Sequence, residues 1–133
     1  MSLESEILQS NHVVAVVGLS RDMTKPSYRV AEYLKNNGYK IIPVNPREKN
    51  LMGEVCYPSL KSIPISVDIV NIFRHSEDVL PVVEEAIEIN VKVVWMQEGI
   101  VNIEAEEKAK RAGIKVVSDK CMRKELIRIK EKG

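Results

Sequence analysis

Three observations predict an α/β fold, a single Rossmann-like doubly wound domain around a five-stranded parallel sheet. Five short runs rich in β-branched residues recur along the chain: Val13–Val17, Lys40–Val44, Val67–Phe73, Val91–Met96 and Ile114–Val117. Their near-continuous apolar character suits strands covered on both faces. Longer segments with helical spacing alternate with them, which implies right-handed crossovers and a parallel sheet. The 133 residues, free of repeats, linkers and low-complexity stretches, make one domain spanning 1–133.

In chain order, a short helix is expected from Glu4 to about Gln9, ahead of the first strand. Val30, Ala31, Tyr33 and Leu34 share a helical face before Asn37-Gly38, a C-cap signal. The second strand carries Pro43, whose missing donor is unfavourable inside a sheet but tolerable near a strand end. Residues 45–64 hold Pro46, Gly53, Pro58 and Pro64 and read as irregular, with room for one helical turn. Val79, Val82, Val83, Ala86 and Ile87 mark a helix opened by Ser76 as N-cap. A further helix runs from Asn102 or Ile103 to about Ala112, closed by Gly113, and the last from around Met122 to Ile129. The expected strand order is 3-2-1-4-5 or a close relative.

Composition excludes several functions. Twenty basic against nineteen acidic residues give a formal charge of +1, without the basic excess of a nucleic-acid binder. Acids at the N-terminus and the absence of a long apolar run argue against a secretory signal and a membrane span, so a cytoplasmic location is expected. Cys56 and Cys121 make no zinc-like spacing, and His12 and His75 are the only histidines. Both cysteines read as buried and inert; a mixed disulfide of Cys121 with a ligand thiol is the minor alternative.

Ligands of open α/β sheets bind outside the carboxyl ends of the strands where strand order reverses. The loop after the first strand reads Gly18-Leu19-Ser20-Arg21-Asp22-Met23-Thr24-Lys25-Pro26-Ser27-Tyr28. Gly18 permits a tight turn, and Pro26 suits the first helical position. The amides that follow, the hydroxyls of Ser20 and Ser27, and the charges of Arg21 and Lys25 can face an anion. Neither GxGxxG nor a Walker loop is present. NAD-binding proteins place an acid after the second strand; here the sequence is Asn45-Pro46-Arg47-Glu48-Lys49, which favours a phosphorylated ribose as in NADP or coenzyme A. The same charges also suit a solvated loop.

Val16-Val17-Gly18-Leu19-Ser20, Lys25-Pro26-Ser27-Tyr28, Val44-Asn45-Pro46, Asp68 to Arg74, Trp95-Met96-Gln97-Glu98-Gly99 and Asp119-Lys120-Cys121-Met122 stand in order at successive strand ends. In these pieces the chain resembles the coenzyme A-binding domain family, in its small stand-alone form, over roughly Asn11 to Met122. That fold resembles the N-terminal domains of succinyl-CoA synthetase α-subunits and ADP-forming acyl-CoA synthetases. Those enzymes use a phosphohistidine on a following domain, which neither His12 nor His75 matches, so catalytic activity is not expected to carry over.

The resemblance implies coenzyme A or acyl-CoA as ligand. Gly18, Ser20, Arg21, Lys25, Pro26, Ser27 and Tyr28 would face its phosphates, and Asn45, Pro46 and Arg47 would border the adenosine. Phe73 and Arg74 would grip adenine or phosphate, and Met96 would pack on the pantetheine arm while Trp95 turns into the core. No nucleophile–base set or metal cluster converges there. The expectation is therefore a binding module for a small nucleotide cofactor, with a homo-oligomer or a ligase partner subunit left open. An NADP-binding oxidoreductase or redox sensor is the alternative. A phosphoacceptor domain is discarded because Asp68 opens its strand instead of ending it.

Overall fold

A computed structural model of the chain describes residues 2–132; Met1 and Gly133, part of the expected single domain, lie outside the described residues. The β-branched runs form β1 (Val13–Val17), β2 (Lys40–Val44), β5 (Ile69–Ile72), β6 (Val93–Met96) and β7 (Lys115–Val117), all parallel, in the order β2-β1-β5-β6-β7. Helices α1 (Leu3–Ser10), α2 (Pro26–Asn36) and α5 (Met122–Lys132) cover one face, where Ile7, Leu8, Ala31, Leu34, Met122 and Leu126 bury Val14, Val16, Ile69 and Trp95. Helices α3 (Val79–Glu88) and α4 (Ile103–Arg111) cover the other, with Val79, Val83, Ala86, Ala105 and Ala109 over Ala15, Val17, Val70, Ile72 and Met96. The sheet is therefore buried on both sides, as its apolar runs require.

The strand order is not 3-2-1-4-5. Numbering only the strands of the large sheet along the chain, it is 2-1-3-4-5, with the second strand at the edge. Pro43 explains this. Its carbonyl accepts from the Tyr57 amide at 3.0 Å, on the side of β2 away from β1. The nitrogen and carbonyl of one residue leave a parallel strand on the same side, so the missing donor faces the outer edge, where only an isolated bridge at Val44–Tyr57 is made and proline is tolerated. The third strand instead seats beside β1. There Asp68 Oδ2 accepts from the amides of His12 at 3.1 Å and Val13 at 3.0 Å, joining the starts of the two strands. The reversal of order thus falls between β1 and β5, and the ends of these strands frame the site.

Three local expectations are corrected. Residues 45–64 contain, besides a 3₁₀ turn at Leu60–Ser62, a hairpin of β3 (Asn50–Leu51) and β4 (Glu54–Val55). Its two-residue turn, Met52-Gly53, has φ of 53° and 76°, the left-handed pair a tight hairpin needs. Methionine in that position gives no sequence signal for it. Ser76 does not cap α3: it begins a 3₁₀ turn, Ser76–Asp78, and its hydroxyl accepts from the Val101 amide at 3.1 Å. The last helix also continues past Ile129 to Lys132, through Lys and Glu residues that favour helix.

Candidate functional site

The loop after β1 is built largely from its own hydrogen bonds. Gly18 adopts φ +89°, and a Cβ there would lie 2.2 Å from the Phe73 carbonyl oxygen, so only glycine lets the chain leave β1 against the end of β5. The Gly18 amide donates to Val44 O at 3.0 Å, tying the exit to β2 as well. Further on, Ser27 Oγ accepts from the Ser20 amide, and Ser20 Oγ from the Asp22 amide, both at 3.0 Å. Asp22 Oδ1 accepts from the Thr24 amide at 2.9 Å and its hydroxyl at 2.7 Å. These bonds from Thr24 hold the exposed Asp22 carboxyl below its ordinary range. The hydroxyls of Ser20 and Ser27 therefore serve the loop as acceptors, and each also carries a proton to donate.

Pro26 stands at the first position of α2, and Lys25 at its N-cap makes no side-chain capping bond. The first-turn amides of a helix have no acceptor within it, so this end presents donors and partial positive charge. Arg74 Nη1 lies 3.4 Å from where a Gly18 Cβ would be, which puts the guanidinium directly over the turn. Neither Lys25 nor Arg74 is ion-paired among the described residues.

Gly18, Ser20, Lys25, Pro26, Ser27, Phe73 and Arg74 together line a cleft of about 840 Å³. The 3₁₀ turn with the preceding His75, and Gly99-Ile100 after β6, complete its lining. Smaller hollows of about 250 Å³ beside β2 and about 520 Å³ between α1 and α5 do not include this loop.

Other expected site residues stand elsewhere. Met96 is completely buried among Ser118 and the residues under α3 and α4, so it offers no surface to a pantetheine arm. Trp95 is equally buried on the opposite face, its indole donating to Lys120 O at 2.8 Å. Asn45 uses its side chain inside the protein, Nδ2 donating to Leu19 O at 3.0 Å and Oδ1 accepting from the Arg47 amide at 2.9 Å. It fastens the loop after β2 to the loop after β1, leaving Pro46 and Arg47 exposed outside the cleft wall. Arg21 is exposed and 3.7 Å from Glu48, and Tyr28, within the first turn of α2, is not on the wall.

Cys56 and Cys121 are free and buried. Burial pushes the Cys56 thiol up, and its contact with Asn45 O only partly offsets this. Sequence reasoning missed Glu77, Asp78, Gly99 and Ile100 as cleft residues. Only the rule that sites form at the carboxyl ends of strands pointed to them, since both segments follow such ends.

Among the described residues no group of His, Cys, Asp and Glu is arranged to hold a metal. What the site offers is a small-residue turn, helix-start amides, two free cations and an aromatic ring beside a long cleft. This is the equipment of an α/β domain that takes a phosphate-bearing ligand at its switch point. The family model described as the CoA binding domain matches residues 12–126, and the chain belongs to that family. It is 42% identical over 118 residues to the "Uncharacterized protein YneT" of Bacillus subtilis, covering 89% of this chain and 87% of that protein. It is 34% identical over 115 residues, 77% of the chain, to "Acetate--CoA ligase [ADP-forming] II" of Archaeoglobus fulgidus, of whose length it spans only 17%. A solved structure titled "hypothetical protein from Pyrococcus horikoshii OT3" superposes with a TM-score of 0.92 at 36% identity, covering 95% of this chain and 89% of that one.

Proposed function

We propose that the chain binds coenzyme A or an acyl-CoA through the 3′-phospho-ADP half, as a ligand-binding module with no reaction of its own. The observation that carries this reading is that Gly18, the start of α2, Lys25 and Arg74 line one cleft, with the Arg74 guanidinium over the Gly18 turn. Backbone donors and two unpaired cations on one cleft would suit a pyrophosphate, and the glycine lets the chain turn directly against the end of β5. The family match supports the choice of coenzyme A among phosphate-bearing ligands. The chain spans only 17% of the length of the ADP-forming acetate–CoA ligase it matches, and the ligase activity in that protein's name is not part of this proposal.

Replacing Lys25 or Arg74 tests the reading. Lys25→Ala and Arg74→Ala are each expected to weaken coenzyme A roughly tenfold, the size of one charge-assisted hydrogen bond. Titration with dephospho-coenzyme A separates the phosphates. Equal losses on both ligands place the cation on the pyrophosphate, and a loss confined to coenzyme A places it on the ribose phosphate. Undiminished affinity in both variants contradicts the site.

A further inference from the structure

Asn71 stands in β5 among Ile69, Val70 and Ile72, in register with Val16 of β1 and Trp95 of β6, and is completely buried. Asparagine is unfavourable in a strand, and the rest of this one is aliphatic. Its carboxamide is only half used. Nδ2 donates to Trp95 O and to Gln97 Oε1, both at 3.3 Å, whereas Oδ1 meets no donor among the described residues. A buried acceptor without a donor costs stability, so local energetics favour an apolar residue here. What the amide adds is a link to Gln97. That residue follows β6 and is only 5% exposed. Its amide donates to Ile72 O at 3.3 Å, its carbonyl accepts from the Ile100 amide at 2.9 Å, and its Oε1 also accepts from the Met122 amide at 3.5 Å, at the start of α5. The link thus joins the exits of two neighbouring strands. Phe73 and Arg74 follow Asn71 out of β5, Gly99 and Ile100 follow Gln97 out of β6, and all four line the cleft.

The inference rests on the reading that the cleft holds coenzyme A. We infer that Asn71 is a positioning residue for that ligand, acting through Gln97 without touching it. Complete burial leaves Asn71 no surface to offer a ligand. Its bond to Gln97 instead restrains the segment leaving β6 against the segment leaving β5. The backbone bond from Gln97 to Ile72 O holds the strand spacing, and the side-chain bond adds a restraint on the Gln97 turn, whose carbonyl carries the Ile100 amide. Holding both segments in place before the ligand arrives lowers the ordering cost of binding.

Asn71→Val removes the amide with its orphaned acceptor and keeps a strand-forming side chain. Gln97→Met removes the acceptor of the link and keeps the length of the side chain. Calorimetric titration with coenzyme A and thermal unfolding are compared in the natural chain, both single variants and the double variant. Each single variant is expected to bind coenzyme A about fivefold more weakly, with a Tm within about 3 °C of the natural chain. The double variant should lose about the same fivefold instead of the roughly 25-fold of independent sites, because both substitutions break one link. Undiminished affinity in either single variant overturns the inference, as do losses that multiply in the double variant. Affinity that falls only together with a Tm far below that range makes the link a stabilising contact and overturns it too. If Asn71→Val does not fold, Gln97→Met decides by the same two readings. Each of these results leaves the function proposed above standing, whereas a natural chain that does not bind coenzyme A overturns both.

Discussion

At Gly18 a single methyl group would collide with the backbone of β5. Glycine at the end of the first strand was legible as a turn residue; that it lies against the Phe73 carbonyl was not, because that approach depends on which strand is the neighbour. Gly18→Ala combines a positive φ with a 2.2 Å contact to a backbone oxygen. It is expected to cost about 2–4 kcal/mol, read from urea unfolding midpoints. A loss below half a kcal/mol would mean that the turn relaxes freely. Trp95 and Met96 show a second limit at this scale. Alternation along a strand says that Trp95 and Met96 face opposite ways, but not whether either reaches the ligand, and the structure buries both. Cys56 makes a complementary point. Its thiol is buried and held above its ordinary pKa, so its reaction with a thiol reagent at pH 8 should be much slower in the folded chain than in urea.

At the scale of elements, one carboxylate fastens the start of β5 to the start of β1. Burial of Asp68 pushes its pKa up, but the amides of Val13 and His12, and then Lys92 at 3.4 Å, pull it further the other way, leaving it below the ordinary value. A carboxyl depressed in the folded state stabilises fully above its unfolded pKa of about 4 and loses that contribution as pH falls through the folded value. Asp68→Ala should therefore cost about 1–3 kcal/mol at neutral pH, and Asp68→Asn should flatten the acid limb of the stability curve. An unchanged acid limb would remove Asp68 from that role. Asn102 acts similarly for α4: its side chain accepts from the Ala105 amide at 2.9 Å and donates to Ser76 O at 2.8 Å. Asn102→Ala should cost about 1–2 kcal/mol by thermal unfolding, and no measurable loss would show that the cap is replaced by water.

For the whole molecule, the sheet, its parallel sense and the helices on both faces follow from the apolar runs, which are near-continuous because both faces are covered. The order of strands does not follow from them. Pro43 held the relevant clue, since a strand with a missing outward donor belongs at an edge, yet its position near the strand's end also admitted a central placement. The loop after β1 was legible because a turn glycine, a proline at the helix start and nearby cations have local meanings. The rest of the lining was not: nothing local marks Glu77 and Asp78, and only the tertiary arrangement brings them to the cleft. Among the described residues no helix is long and apolar enough to cross a membrane.

The central claim is that this cleft recognises coenzyme A, and calorimetric titration of the ligand-free protein with coenzyme A and with NADP tests it most directly. The account predicts saturable one-to-one binding of coenzyme A, lost in Lys25→Ala/Arg74→Ala, and no comparable binding of NADP. Binding of NADP with no response to coenzyme A would contradict it and leave the cleft to a dinucleotide.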